Sequence, residues 1–444
     1  MTETTTIRNR SSSAQLRAPM LDKWRIIIWA AFALALIVAP QVFRSGLALT
    51  MLSQMGYLII ICLSYNILLG QGGMLSFGHA VYVGLGAFIA IHVLNRVGDG
   101  AFFVPVTLIP LIGGVAGAFF AALFGYVTTK KAGTTFAMIT LGIGELVASM
   151  ALMFPEFFGG EGGISTNRVV GEPFLGITFG PSIEVYYLIA AYCFTCTALM
   201  YAFTRTPLGR MLNAVRDNPE RVEFIGYNTQ RVRYFSFIIS GFFAGIGGGL
   251  MILHFEIITA MDSLNAVRSG TYLLFTFLGG ATLFFGPIIG AVLMVLAMIL
   301  LSELTQAWML YLGLVFLFMV MYAPGGVASI IMLNVRVLRL GRFAPLVQPY
   351  LLAIVTGVAA FAGFATLVEM VYHLQMNAIM STQLDFMGLT LDVANARHWM
   401  MVLGWLLVTG TAFEWMRRRF VRVWHRQQEL IEHDLQHMRE GASA

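Results

Sequence analysis

The chain has 444 residues, of which 58% are hydrophobic and only 11% charged, with a mean hydropathy of +0.79 and a formal net charge of +5. Soluble domains carry roughly a quarter charged residues, so this composition excludes a soluble globular protein, and no clustered basic face with base-reading elements points to nucleic acid. An all-α polytopic membrane protein is expected. Its three cysteines, Cys62, Cys193 and Cys196, fall inside apolar runs, where they read as packing residues and not as a disulfide framework.

Residues 1–23 are rich in Thr, Ser and Arg and lack an apolar core. They read as a disordered cytoplasmic tail ahead of an uncleaved signal-anchor span. Runs of spanning length follow at 25–42, 47–69, 74–94, 102–127, 133–154, 183–203 and 235–255. The run at 270–301 is interrupted by Gly279, Gly280, Gly286 and Pro287, and 306–323, 349–373 and 398–416 complete the series.

Whether 270–301 crosses once or twice is decided by the distribution of basic residues. Two short crossings put 22 of the 27 Lys and Arg on one side and leave Arg44, Arg96, Arg168, Arg268 and Arg397 on the other. A single crossing reduces the division to 14 against 13. Twelve segments with both termini cytoplasmic are therefore expected, with 270–301 the place where a re-entrant segment would hide. The domains are a tail (1–23), a membrane core of about ten segments with broken helices (24–335), a cytoplasmic loop within it (204–234), two added spans (345–416) and a basic cytoplasmic tail (417–444). The longest loop of the other side, 155–184, carries Glu156, Glu161, Glu172 and Glu184 against one Arg168. It reads equally as a solvated connector or as a contact surface for an external partner.

The loop 204–234, TRTPLGRMLNAVRDNPERVEFIGYNTQRVRY, is the most polar stretch between spans. Asn218 as N-cap, Pro219 at the first helical position, Glu220 beside the positive helix end and Gly226 as the stop spell a short helix. Such a helix either lies on lipid or docks into a partner. Its weak apolar face, Val222 and Ile225 with Phe224 adjacent, favours docking.

Two Gly-interrupted stretches mark a candidate translocation pathway, because irregular backbone at membrane depth survives only when buried in protein or lining a wet cavity. One is QGGMLSFGHAVYVGLGA (71–87), with Ser76 and His79; the other is GGATLFFGP (279–287), opening on Gly279 and Gly280. Close packing of small residues explains the same pattern. Asn66 near the end of one span and Glu145 midway along another add polar groups where burial is costly; an interhelical hydrogen bond is the plain alternative. His79 has no metal shell near it in sequence, and neither a metal nor a cofactor is expected. No phosphate-binding G-x-x-x-x-G-K-[ST], H-E-x-x-H or G-x-S-x-G occurs, so the chain is not read as an enzyme.

The segments LLGQGGMLSFGHAVYVGLGAF (68–88), KKAGTTFAMITLGIGEL (130–146), TPLGRMLNAVRDNPERVEFIGYNTQRVRYFSFIISGFFAGIGGGL (206–250), FLGGATLFFGPIIGAVL (277–293) and YAPGGVASII (322–331) together resemble the LivM-type permease of branched-chain amino acid ABC importers. The resemblance is collinear over roughly 45–335. It implies an ATP-driven importer of the bacterial inner membrane, with a LivH-type second permease, two ATP-binding cassette ATPase subunits that carry the hydrolysis, and a periplasmic substrate-binding protein. It also implies that the loop's short helix, mapped to Pro219–Ile225, sits in a groove of an ATPase. Arg216, Asn218, Pro219, Glu220, Arg221, Glu223 and Gly226 then become the coupling residues. The Glu-Ala-Ala wording of the family motif is absent here, where Arg221, Val222, Glu223 and Gly226 stand. Substrates implied are branched-chain amino acids, with amides, urea and aromatic carboxylates as alternatives. The rival from another class is an ion-coupled secondary transporter of a small organic solute using Glu145.

Overall fold

The computed structural model describes residues 18–443 apart from 102, 171–177, 324, 340–342, 377–381 and 387–388. Residues 1–17 of the expected disordered tail, Glu172 and Arg342 thus lie outside the described residues. Helices dominate, with two short strand pairs among the described residues.

Helix α1 (Ala18–Val42) leads to α2 (Gly46–Asn66), whose N-terminus is capped by Ser45 accepting from the Ala48 amide at 3.2 Å. Instead of stopping at a turn, α2 runs into one π-helical turn, Ile67–Gln71, and then into irregular backbone. Helix α3 (His79–Gly98) starts only after this break, five residues later than the apolar run. Helices α4 (Ile109–Thr128) and α5 (Gly133–Met153) follow, then the short α6 (Pro155–Phe158) and strand β1 (Ile164–Ser165).

Next come α7 (Ser182–Arg205), α8 (Pro207–Asp217), α9 (Pro219–Phe224) and α10 (Thr229–Phe255). Helix α10 starts six residues ahead of its apolar run because Asn228 accepts from the Arg231 amide at 3.0 Å and caps it there. Strand β2 (Ile257–Ile258) pairs antiparallel with β1. The interrupted run then divides into α12 (Ala266–Gly279) and α13 (Gly286–Leu304), preceded by the single turn α11 (Ala260–Ser263).

The two ends of this bundle are distinguishable. Tyr201, one turn from the end of α7, packs its ring against Phe284 with centroids 5.3 Å apart, so the turn between α12 and α13 lies at the end that carries α8 and α9. The β1–β2 pair lies at the opposite end of α10. The interrupted run therefore crosses twice, yet α12 has only 14 residues, about 21 Å. The segment 256–265 covers the missing depth by dipping inward: Leu264 packs on Gly84 of α3, and Ser269 accepts from the Ala80 amide at 3.0 Å.

The centre is built on backbone contact. Helix α10 packs against α2, α3 and α4, and along its seam with α4 the residues are Gly113, Gly114 and Gly117 facing Gly241, Gly245 and Gly249. A β-carbon on Gly113 would stand 2.7 Å from the Gly245 carbonyl oxygen. Small residues are how membrane helices approach closely, since lipid supplies no hydrophobic drive between helices. Large side chains surround this seam: Tyr65, Phe88, Phe136 and Phe237 are essentially fully buried.

The chain divides into two compact units, residues 1–295 and 296–444. In the second, α14 (Trp308–Tyr322) and α15 (Gly326–Arg339) bend by 50° about their junction. They precede α16 (Ala344–Met376), the hairpin β3 (Gln383–Phe386) and β4 (Leu389–Asp392), and α17 (Ala396–Ser443). A carboxylate inside this unit is satisfied: Glu369 on α16 accepts from Tyr311 at 3.1 Å and from Thr305. Helix α17 continues unbroken for 48 residues, and Arg417 and Arg418 both donate to Glu414 at 2.6 and 2.7 Å. Among the described residues ten helices are long and apolar enough to cross a membrane, or 11 with the bent pair, against the twelve segments expected; α12, with 14 residues, is too short to count. The protein is an all-α polytopic membrane protein.

Gly245→Val should lower the apparent unfolding temperature of the detergent-solubilised chain, because overpacking a closed seam costs roughly 1–3 kcal/mol. Gly142→Val, at a helical position with nothing within 4 Å, should leave it unchanged; thermal unfolding followed by size-exclusion chromatography reads both.

Candidate functional site

The 204–234 loop is two helices, not one. Thr206 accepts from the Gly209 amide at 3.2 Å and Pro207 occupies the first turn, which starts α8 directly after α7. Asn218 then accepts from the Arg221 amide at 3.0 Å and starts α9, whose last helical residue is Phe224, with Ile225 as its cap. Gly226 follows with φ +88°, and its amide donates to the Glu223 carbonyl at 2.9 Å. That left-handed residue lets the chain reverse into α10, a conformation costing L-residues about 1–2 kcal/mol.

Of the expected residues, Arg216, Pro219, Glu220, Arg221, Glu223 and Gly226 are exposed and Asn218 is half-buried. Glu223 accepts from the Thr229 hydroxyl at 2.8 Å. Val222 is buried, and Glu220 and Arg221 are exposed. The tip is apolar: Phe224, Ile225 and Tyr227 are 88%, 67% and 52% exposed. An open cleft of about 680 Å³ runs beside it, lined by Pro219, Glu220, Tyr227, Gln230, Arg233 and Lys130. Lys130 thus shares one end of the bundle with the loop's own basic residues.

Arg216 is exposed and also bonds back to the core. Its guanidinium donates to the Gly70 carbonyl of the π-helical turn and to Asp217 at 3.0 Å, and its side-chain stem crosses Gly73. Asn213 on the same helix donates to the Gln71 side chain at 3.0 Å. Helix α8 is therefore fastened to the break between α2 and α3. One turn before Gly70, Asn66 is buried and donates to the Ala281 carbonyl at 2.7 Å, reaching the turn between α12 and α13. In that turn Gly280 has φ +115°, and a β-carbon on Gly279 would stand 2.6 Å from the Gly290 amide nitrogen. The loop helix, the first break and the second break form one hydrogen-bonded series.

Ser76 and His79 lie within this framework. Both are fully buried: the Ser76 carbonyl accepts from Tyr65 at 2.8 Å, and His79 Nε2 pairs with the Ser64 hydroxyl at 2.9 Å. The Ser64 hydroxyl also lies 2.7 Å from the Ile61 carbonyl, so it bridges the α2 backbone and the imidazole. Glu145 differs from expectation. It is exposed on α5, on a stripe with Thr135, Met138, Gly142 and Ser149, because only the opposite face of that helix, with Phe136, Thr140, Gly144 and Val147, packs inward. No group of three or more possible metal-binding side chains occurs among the described residues.

Helices broken at membrane depth, packed around a glycine seam and fastened to a loop helix, define a transport permease. The profile of the family described as the branched-chain amino acid transport system / permease component matches residues 47–324, and the chain belongs to that family. It is similar to the high-affinity branched-chain amino acid transport system permease protein LivM of Salmonella typhimurium, 27% identical over 289 residues, covering 60% of this chain and 67% of the relative. LivM of Escherichia coli is 28% identical over the same shares. The fructose import permease protein FrcC of Rhizobium meliloti is 27% identical over 46% of this chain and 59% of its own. No solved structure matches the chain.

Replacing Arg216 by Met removes the donor to Gly70. A hydrogen bond to a charged group contributes roughly 1.5–3 kcal/mol, and the partial exposure of this guanidinium argues for the lower figure. Amide exchange across 207–217 should accelerate about tenfold, read by hydrogen–deuterium exchange mass spectrometry, while Arg221→Met should leave it unchanged.

Proposed function

We propose that the chain is one membrane subunit of an ATP-driven importer of the bacterial inner membrane, forming half of the pathway for branched-chain or related amino acids. A second permease of LivH type, two ATPase subunits and a periplasmic substrate-binding protein complete it. The observation that carries this reading is the exposed apolar tip Phe224–Ile225–Tyr227 on a helix whose own polar ends are already satisfied. A surface of that kind fits a protein groove. Hydrolysis belongs to the ATPases, and both termini and the α8–α9 end face the cytoplasm, where basic residues collect.

The coupling route runs through Arg216. ATPase closure displaces α9 and α8, the Arg216 and Asn213 contacts carry that displacement to the π-helical turn, and Asn66 carries it to the turn at Ala281. Two discrete arrangements of these breaks would give the inward and outward states. Ser76, His79, Gly279 and Gly280 shape the pathway's backbone, and Glu145 lines it from α5. Residues 24–335 form the permease core, 345–416 add two spans, and 417–444 are a basic cytoplasmic extension.

Gly226→Leu should leave the chain inserted and folded while ATP hydrolysis no longer drives uptake; near-normal uptake in proteoliposomes would sink the assignment. Phe224→Ser should reduce recovery of the ATPase on affinity purification. Uptake should persist with a protonophore when ATP is maintained, whereas an ion-coupled carrier would stop.

A further inference from the structure

Arg268 is assigned by charge counting to the aqueous side of the membrane, but the fold carries it inward. Its neighbour Ser269 is bonded to the Ala80 amide at the inner start of α3, and the outer end of that helix, Gly98, meets Val170 of the long loop. Eighteen residues of helix separate the two levels, about 27 Å. Asp262 lies on the same dipping segment, and its carboxylate and the Arg268 guanidinium are 2.6 Å apart. Their side chains are 27% exposed for Arg268 and 68% for Asp262. Charged groups at this depth cannot face hydrocarbon and mark solute paths.

The pair is not closed on itself. Arg268 Nε is buried without a hydrogen-bond partner, and Tyr57 and Tyr272 lie within electrostatic reach of the guanidinium. Met261 and Val267 are exposed beside it. Helix α11, which carries Asp262, packs against α5, the helix whose outward stripe holds Glu145. Accessible charge of both signs, next to exposed aliphatic side chains, suits a solute that bears both charges and an apolar group.

We propose that Asp262 and Arg268 form a subsite on the transport path for zwitterionic α-amino acids. Asp262 receives the ammonium group, Arg268 the carboxylate, and Met261 and Val267 flank the apolar side chain. This inference rests on the importer reading and narrows its substrate class, setting uncharged amides and urea aside.

The test uses the complete transporter in proteoliposomes, with leucine and acetamide as probes. Asp262→Asn and Arg268→Gln should each lower ATP-driven leucine uptake at least about tenfold, the loss of one charge-assisted contact, in complexes that retain their ATPase subunits. The exchange Asp262→Arg with Arg268→Asp should not restore it, because the solute's charges then meet the wrong groups in a rigid frame. Recovery in the exchanged variant would mean that the pair is only a staple, and would overturn the subsite. So would wild-type uptake in either single variant, or a wild-type transporter that carries acetamide and not leucine. Wild-type uptake that needs no ATP counts against the importer reading alone, since the comparison of leucine with acetamide still decides the subsite.

Discussion

A helix interrupted inside a bilayer must find partners for the backbone groups it frees, because hydrocarbon offers none. Here the partners are supplied by side chains from the other interruption and from neighbouring helices. Asn66 donates to Ala281, Tyr65 to Ser76, and Ser269 and Thr140 accept from the amides of Ala80 and Phe77. The Asn66 bond joins one break to the other, and the remaining three tie the first break and the start of α3 to α2, α5 and α12. The glycine seam between α4 and α10 closes the core beside them.

The same economy governs the loop. Its helices are short and would be marginal alone, yet Thr206, Asn218 and Asn228 each cap a start, and Arg216, Asn213 and Glu223 tie the segment back to the core. The loop is thus braced from within, while Phe224, Ile225 and Tyr227 stand outward among exposed charges such as Glu220 and Arg221. A rigid support beneath an apolar tip is a different object from a flexible charged loop.

Much of this was legible in the residues. Span lengths matched the long apolar helices and the division of 270–301 into two, and Asn218, Pro219 and Gly226 located α9 because capping is local chemistry. Thr206 followed by Pro207 uses the same grammar and would have located α8, had it been read as a cap and not as the end of α7. Hydropathy had no access to the π-helical turn, since it scores side chains and the turn is an arrangement of backbone. It also misjudged Glu145, which, assumed buried by its place in an apolar run, sits on the outward face of α5. Arg268, which charge counting placed on the side opposite the loop, lies on a segment that turns inward to complete the short crossing of α12. Burial in a membrane protein is set by which helix face finds a neighbour, and a linear scan does not carry that information.

The way α10 is held makes it a lever. Its far end is fixed by Arg168, which donates to the Leu253 carbonyl at 3.4 Å and, through its amide, to Glu256 at 2.9 Å, while its near end joins the loop at Asn228. Over its 27 residues, about 40 Å, a displacement of about 4 Å at the loop becomes a tilt of about 6°. Because α4 meets it backbone to backbone at Gly113 and Gly117, little side-chain packing there absorbs the motion, and both helices would turn together. Displacement in a rotation about the far end would then be greatest beside the loop and least at the β1–β2 pair.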